Sequence, residues 1–231
     1  MKDFERTKWS RITTSLSLDE LSRHLKDNKV DDDGKGYSDI EIGRDFCSGI
    51  YNERISNNLI SLDYHGNEFE QELIEFYSVS FSFFYLTNKY YILSLTNPPK
   101  TLKPFIDFLF EGLNYKIGIS GFELNAALFL DELLSSKEVS LVKVKKAKVN
   151  SVVISDAAKA TVEVTSKNNA IDDISLLLEN KDYLIDKLKI SCMVNNVTSE
   201  IEISKGGSFC ATSEAIVLTK KLLFKQVADS I

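Results

Sequence analysis

Four lysines, Lys143, Lys145, Lys146 and Lys148, stand within six positions of the stretch SLVKVKKAKV at 140–149. Clustered ammonium groups bind phosphate backbones by releasing counterions. Lysines on an exposed strand also guard it against pairing with another chain. A second basic group, ERTKWSR at 5–11, interleaves Arg6, Lys8 and Arg11 with Trp9, the single tryptophan. Arginine beside an aromatic ring can hold a phosphate and stack a base. The tryptophan can equally tie an N-terminus to the body.

Catalytic constellations are sparse. His24 and His65 are the only histidines, without HExxH or any paired-ligand spacing, so a zinc site is not expected. Asp31-Asp32-Asp33-Gly34 suggests a calcium loop. With Gly34 at the turn position, however, Lys29 falls on the first ligand position and Ile40 on the last, where a bidentate glutamate is required. Glu179-Asn180-Lys181 is the one ExK triplet, and the pattern puts it at a helix end, away from the paired strands of a metal-dependent nuclease. Asp63 stands two residues before His65, so on a strand it can orient that imidazole as a base; no nucleophile is brought to it. The glycines at 34 and 36 and at 206 and 207 lack the strand-to-helix context of a phosphate-binding loop. The expectation is a chain with no catalytic residue, no metal and no cofactor.

The elements that carry these residues follow from periodicity. In a regular strand, Leu141, Lys143, Lys145, Ala147 and Val149 share one face and Val142, Val144, Lys146 and Lys148 the other, so both faces mix lysine with apolar groups. One β-bulge at Lys145-Lys146 separates them. All four lysines then face solvent, and Val142, Val144, Ala147 and Val149 face the core. Such a bulge is predicted.

Upstream, SLDE at 17–20 is a capping box that opens a helix to about Lys26, and the polar run at 27–39 reads as a loop. Period-two patterning predicts strands near 46–53, 57–64, 71–86 and 90–95. A two-residue loop at Asn88-Lys89 would pair Tyr85 with Ile92 and Leu86 with Tyr91. In the third strand Tyr77, Val79, Phe81, Phe83 and Tyr85 alternate onto a core face. Ser78, Ser80 and Ser82 form a shallow shelf opposite, a candidate seat for a partner or, by preference, for one of this chain's own helices. Thr101 is expected to cap a helix bearing Phe105, Phe108, Leu109 and Leu113, and SGFE at 120–123 to open another that ends near Leu134, with Leu124, Leu128 and Leu133 on one side. Downstream, strands at 139–154, 159–166, 184–195, 198–204 and 207–210 and helices at 169–180 and 212–228 are predicted.

The fold class expected is α+β: mostly antiparallel sheets with helices packed on one face, in two strand-strand-helix units. The domain reading is 1–36 as an arm, short helix and polar loop, 37–136 as an antiparallel sheet with two helices, and 137–231 as a C-terminal α+β unit. The 231 residues carry a formal net charge of −6 with a pI near 5.1, and 43% are hydrophobic, as in globular proteins. Residues 55–136 hold four basic and ten acidic residues, and all five arginines lie at or before Arg54. No apolar run reaches the roughly 18 residues of a membrane span, no secretory leader is apparent, and Cys47, Cys192 and Cys210 lack CxxC spacing. These features lead to a cytoplasmic location without membrane contact. The function expected is a non-catalytic accessory protein with a protein partner, a subunit of a bacterial or phage-encoded assembly, with phage defence or counter-defence as its setting. The alternative is nucleic-acid binding through Lys143, Lys145, Lys146 and Lys148 with the Arg6–Arg11 segment, against which the acidic pI weighs. An enzyme with an unrecognised site ranks third.

Overall fold

The computed structural model describes residues 3–62, 64–87, 89–179 and 181–228. Among them lie eleven strands and five helices, a mixed α/β chain in which strands dominate and their registered pairings are antiparallel. The chain divides into two compact units, Arg11–Ser120 on the one hand and Met1–Ser10 with Gly121–Ile231 on the other. Strand β1 (Phe4–Thr14) gives its first half to the latter and its second half to the former.

In the Arg11–Ser120 unit, α1 (Leu18–Asp27) starts at the expected capping box: the Ser17 side chain accepts from the Glu20 N–H, and the Glu20 carboxylate accepts from the Ser17 N–H at 2.7 Å. Then follow β2 (Gly36–Ile42), β3 (Phe46–Leu62), β4 (Glu68–Thr87), β5 (Tyr90–Thr96), α2 (Lys103–Gly112) and β6 (Ile117–Gly121), with strand order β2-β3-β4-β5-β1. The β4 alternation works as read. Val79, Phe81 and Phe83 are buried, and Phe105 of α2 closes over them, its ring 5.2 Å from Phe81 and 5.8 Å from Tyr51. Each such ring contributes about 1.5–3 kcal/mol by leaving water.

Several expectations are corrected here. The polar run at 27–39 is no simple loop, because Gly36–Ile42 forms β2 and Tyr37 is 1% exposed in the aromatic core. Gly36 makes this possible: at φ +137 its missing Cβ leaves room for the Lys29 carbonyl carbon, 2.6 Å from where a Cβ would stand. The strands expected at 46–53 and 57–64 are one strand, β3. Leu86 is an extra residue, so Tyr85 pairs with Tyr91 and not with Ile92; Thr87 pairs with Tyr90 across a loop whose Asn88 lies outside the described residues. The bulge keeps the Tyr85 and Tyr91 rings in edge contact at 5.6 Å. Helix α2 begins at Lys103 with Leu102 at the cap position; Thr101, one residue earlier, accepts from the Lys103 N–H at 3.5 Å.

The other unit follows its predicted order closely. It comprises α3 (Ala126–Ser135), β7 (Val139–Ser155), β8 (Ala158–Thr165), α4 (Ala170–Leu178), β9 (Leu184–Val194), β10 (Val197–Ser204), β11 (Ser208–Thr212) and α5 (Ser213–Ala228). Its strands run β1-β11-β10-β9-β7-β8. Only α3 departs from expectation. SGFE does not cap it, because Leu124 N–H donates to the Lys205 carbonyl at 2.8 Å and holds the chain extended. Asn125 is the cap, accepting from Ala127 and Leu128 N–H at 3.1 Å, and the helix buries Ala126, Phe129 and Leu133 while Leu128 is exposed.

Candidate functional site

The lysine strand has the predicted phase shift. Val144 pairs with Ile190 and Lys146 with Lys189, so Lys145 is the extra residue of a bulge on β7. Val144, Ala147 and Val149 are buried, while Lys145, Lys146 and Lys148 reach the opposite, accessible face with the exposed Lys143. The neighbours on that face are what the sequence left invisible. Lys146 stands directly across from Lys189 and Lys148 across from Lys187, two like-charge pairs that destabilise a sheet unless compensated. Carboxylates on both sides compensate them. Lys146 pairs with Glu163 at 2.7 Å, Lys148 with Asp186 at 3.2 Å, Lys187 with Glu202 at 2.6 Å, and Lys145 and Lys189 share Glu200 at 3.5 and 3.4 Å. Hydrogen bonding from Lys146 holds the Glu163 carboxyl below its ordinary range. A cluster read as a basic patch is thus a lattice of alternating sign around a shallow cavity of about 50 Å³.

The N-terminal segment does not present its aromatic ring. Arg6 and Lys8 are exposed, whereas Trp9 is 2% exposed, with its ring edge-on to Phe209 at 5.1 Å and its backbone N–H donating to the Gly207 carbonyl. Arg11 lies on the ring of Tyr90 at 5.8 Å. The tryptophan ties the segment to β11.

The serine shelf is open and is not the seat of α2, which lies on the aromatic face. Ser78 and Ser80 are exposed and Ser82 is half-buried. Ser78 donates to the Asn52 side-chain oxygen Oδ1 at 2.8 Å, and the Asn52 side-chain Nδ2 donates to the Ser38 hydroxyl at 2.9 Å, a polar ladder across β4, β3 and β2.

Asn28 donates to His24 Nδ1 at 3.0 Å, Tyr37 lies 3.4 Å from Nε2, and burial lowers the imidazole pKa below its ordinary value. Asp63 lies outside the described residues; His65 is beside Tyr64, which is 92% exposed at the hairpin tip. Asn180 of the ExK triplet also lies outside them. Asp31 caps its own turn by accepting from Lys35 N–H at 2.8 Å. Burial raises the thiols of Cys47 (to about 11) and Cys192. Among the described residues no group of three or more His, Cys, Asp or Glu is arranged to hold a metal ion, and no helix is long and apolar enough to cross a membrane.

The feature that sequence reading missed is the length of the β3–β4 hairpin. Beyond β2, which reaches only Asn52 of β3, and β5, whose last residue Thr96 lies opposite Ser80 of β4, the two strands pair, among the described residues, with each other alone from Ile55↔Glu75 to Leu62↔Glu68. Eight residues of β3 at about 3.3 Å each make an arm of roughly 27 Å. A two-stranded ribbon is marginal by itself in water. This one nonetheless exposes large apolar groups, among them Ile60 and Leu62 at 67% and Phe76 at 80%, with Leu59, Phe69, Leu73 and Ile74 also open. From Ile55 to Asn88 the chain holds five acidic residues and no lysine or arginine. The clue lay in the sequence as an acidic, period-two stretch longer than a supported strand requires. No protein-family model matches this chain, and no curated protein matches it in sequence.

Proposed function

We propose that this chain is a non-catalytic interaction protein, a subunit of a larger bacterial or phage-encoded assembly, that grips a protein partner with the β3–β4 arm. The observation that carries the reading is the set of large apolar side chains exposed along an otherwise unsupported ribbon. Apolar surface concentrated in this way marks interaction sites on soluble proteins. In this reading the helices of each unit cover one face of its strands, the protein works in the cytoplasm, and phage defence or counter-defence is its setting. Nucleic-acid binding is the second reading; the facing Lys146/Lys189 and Lys148/Lys187 pairs favour it and the interleaved carboxylates oppose it.

The test is co-purification from the native host with the full chain and with a variant in which residues 54–76 are replaced by a two-residue turn between the paired Glu53 and Tyr77. A partner of fixed stoichiometry, held by the full chain and lost from a folded arm-deleted variant, supports the reading. An undiminished complex with the arm deleted overturns it.

A further inference from the structure

The two faces of the arm differ, and the difference specifies what can lie along it. Cross-strand partners share a face, so Glu68, Glu70 and Glu72 of β4 stand in one row, opposite Leu62, Ile60 and Asn58 of β3. Phe69, Gln71 and Leu73 occupy the other face. Successive glutamates of that row are about 6.6 Å apart. The outer edge of β4 from Glu68 to Phe76 has no strand against it among the described residues, since the pairing with β5 ends at Ser80↔Thr96. Its backbone donors and acceptors on that side form a template for a further strand.

Resting on the reading of the arm as the docking element, we propose that the Glu68–Phe76 edge takes up an extended segment of a partner protein in which lysine or arginine alternates with apolar residues. Strand addition aligns the side chains of the incoming segment with those of β4. From Glu68 to Leu73 every second position then meets a glutamate and the positions between meet Phe69, Gln71 and Leu73; beyond them Ile74 and Phe76 continue the glutamate face and Glu75 the other. The same row disfavours a second copy of this chain in the registers centred on it: antiparallel pairing of two arms about Glu70 would set Glu68 against Glu72 and Glu70 against Glu70, like charges directly opposed. It also disfavours nucleic acid, whose phosphates the row repels. Within the arm, Ser56 donates to Glu72 at 2.7 Å and leaves the row otherwise free to receive ammonium or guanidinium groups.

The probe is a fluorescein-labelled peptide of about nine residues alternating lysine and valine, titrated with the full chain by anisotropy in low and physiological salt. Its controls are a peptide of the same composition with the lysines clustered, and an alternating peptide N-methylated at every second amide. The expected result is that both controls, and a folded Glu68→Lys/Glu70→Lys/Glu72→Lys variant, bind about tenfold more weakly or worse. Equal binding of the alternating and clustered peptides, indifference to N-methylation, or no binding at all overturns the proposal. A native complex that needs the arm yet survives the triple charge reversal also overturns it while leaving the docking reading intact. An arm-dependent dimer of the chain alone in sedimentation velocity shows the edge occupied by a second copy, and this too overturns it.

Discussion

If the arm stands in water, its apolar side chains add little to the stability of the isolated protein, and this can be measured. The perturbation is Ile60→Ser, Leu62→Ser and Phe76→Ser together. Full burial of such a side chain stabilises by about 1.5–3 kcal/mol. Ile60 and Leu62 are 67% exposed and Phe76 80%, so no more than a third of each is shielded. The triple variant should therefore lose about 1.3–2.6 kcal/mol. Phe81→Ala is the internal standard. That ring is 1% exposed between Tyr37, Phe83 and Phe105, and its truncation should cost about 3–5 kcal/mol. Urea unfolding followed by far-ultraviolet circular dichroism, at two protein concentrations a hundredfold apart, reads both. A triple variant as damaged as Phe81→Ala would refute the reasoning, because the arm would then be covered in the free protein. A midpoint that rises with concentration would name a second copy as the cover.

Three further outcomes are expected. Replacing Glu163, Glu200 and Glu202 by glutamine should uncover the lysines of the lattice: stability falls, and salt-dependent binding of duplex DNA, weak in the parent, emerges in anisotropy. His24 has a folded pKa below its unfolded value of 6.5 because burial disfavours the imidazolium. Its neutral form therefore supports the fold fully above pH 6.5, and that support is lost as pH falls toward the folded pKa; between about pH 7 and pH 5 the parent should lose more stability in urea unfolding than His24→Gln. Asn125→Ala should cost about 0.5–2 kcal/mol as a lost helix cap, whereas Ser120→Ala should change thermal stability by less than about 0.5 kcal/mol.

What could be read in advance follows a physical division. Local signals were legible: the Ser17/Glu20 box, the β4 alternation, and the bulge forced by VKVKKAKV each depend on residues a few positions apart. Long-range compensation was not. Lys146 looks like free charge in the chain and becomes half of an ion pair only when β8 brings Glu163 beside it. SGFE has the letters of a capping box, yet a backbone hydrogen bond from Leu124 to Lys205, eighty-one positions later, holds that segment extended. Tyr37 was hidden inside a polar run because its place in the core depends on a glycine conformation and on a parallel bridge to Lys29. The arm was hidden because length without support is a property of neighbouring strands that stop early.

The bulge at Lys145 also bears on how this surface can change over generations. Removing that one codon turns VKVKKAKV into VKVKAKV, whose alternation is perfect: Val144, Ala147 and Val149 keep facing the core, and Lys143, Lys146 and Lys148 keep facing water. Most single-residue deletions within a strand turn the remaining side chains inside out. Here the frame absorbs the change, so the gain or loss of one lysine is a step a lineage can take without rebuilding the core, altering the charge of the lattice while the fold stays constant.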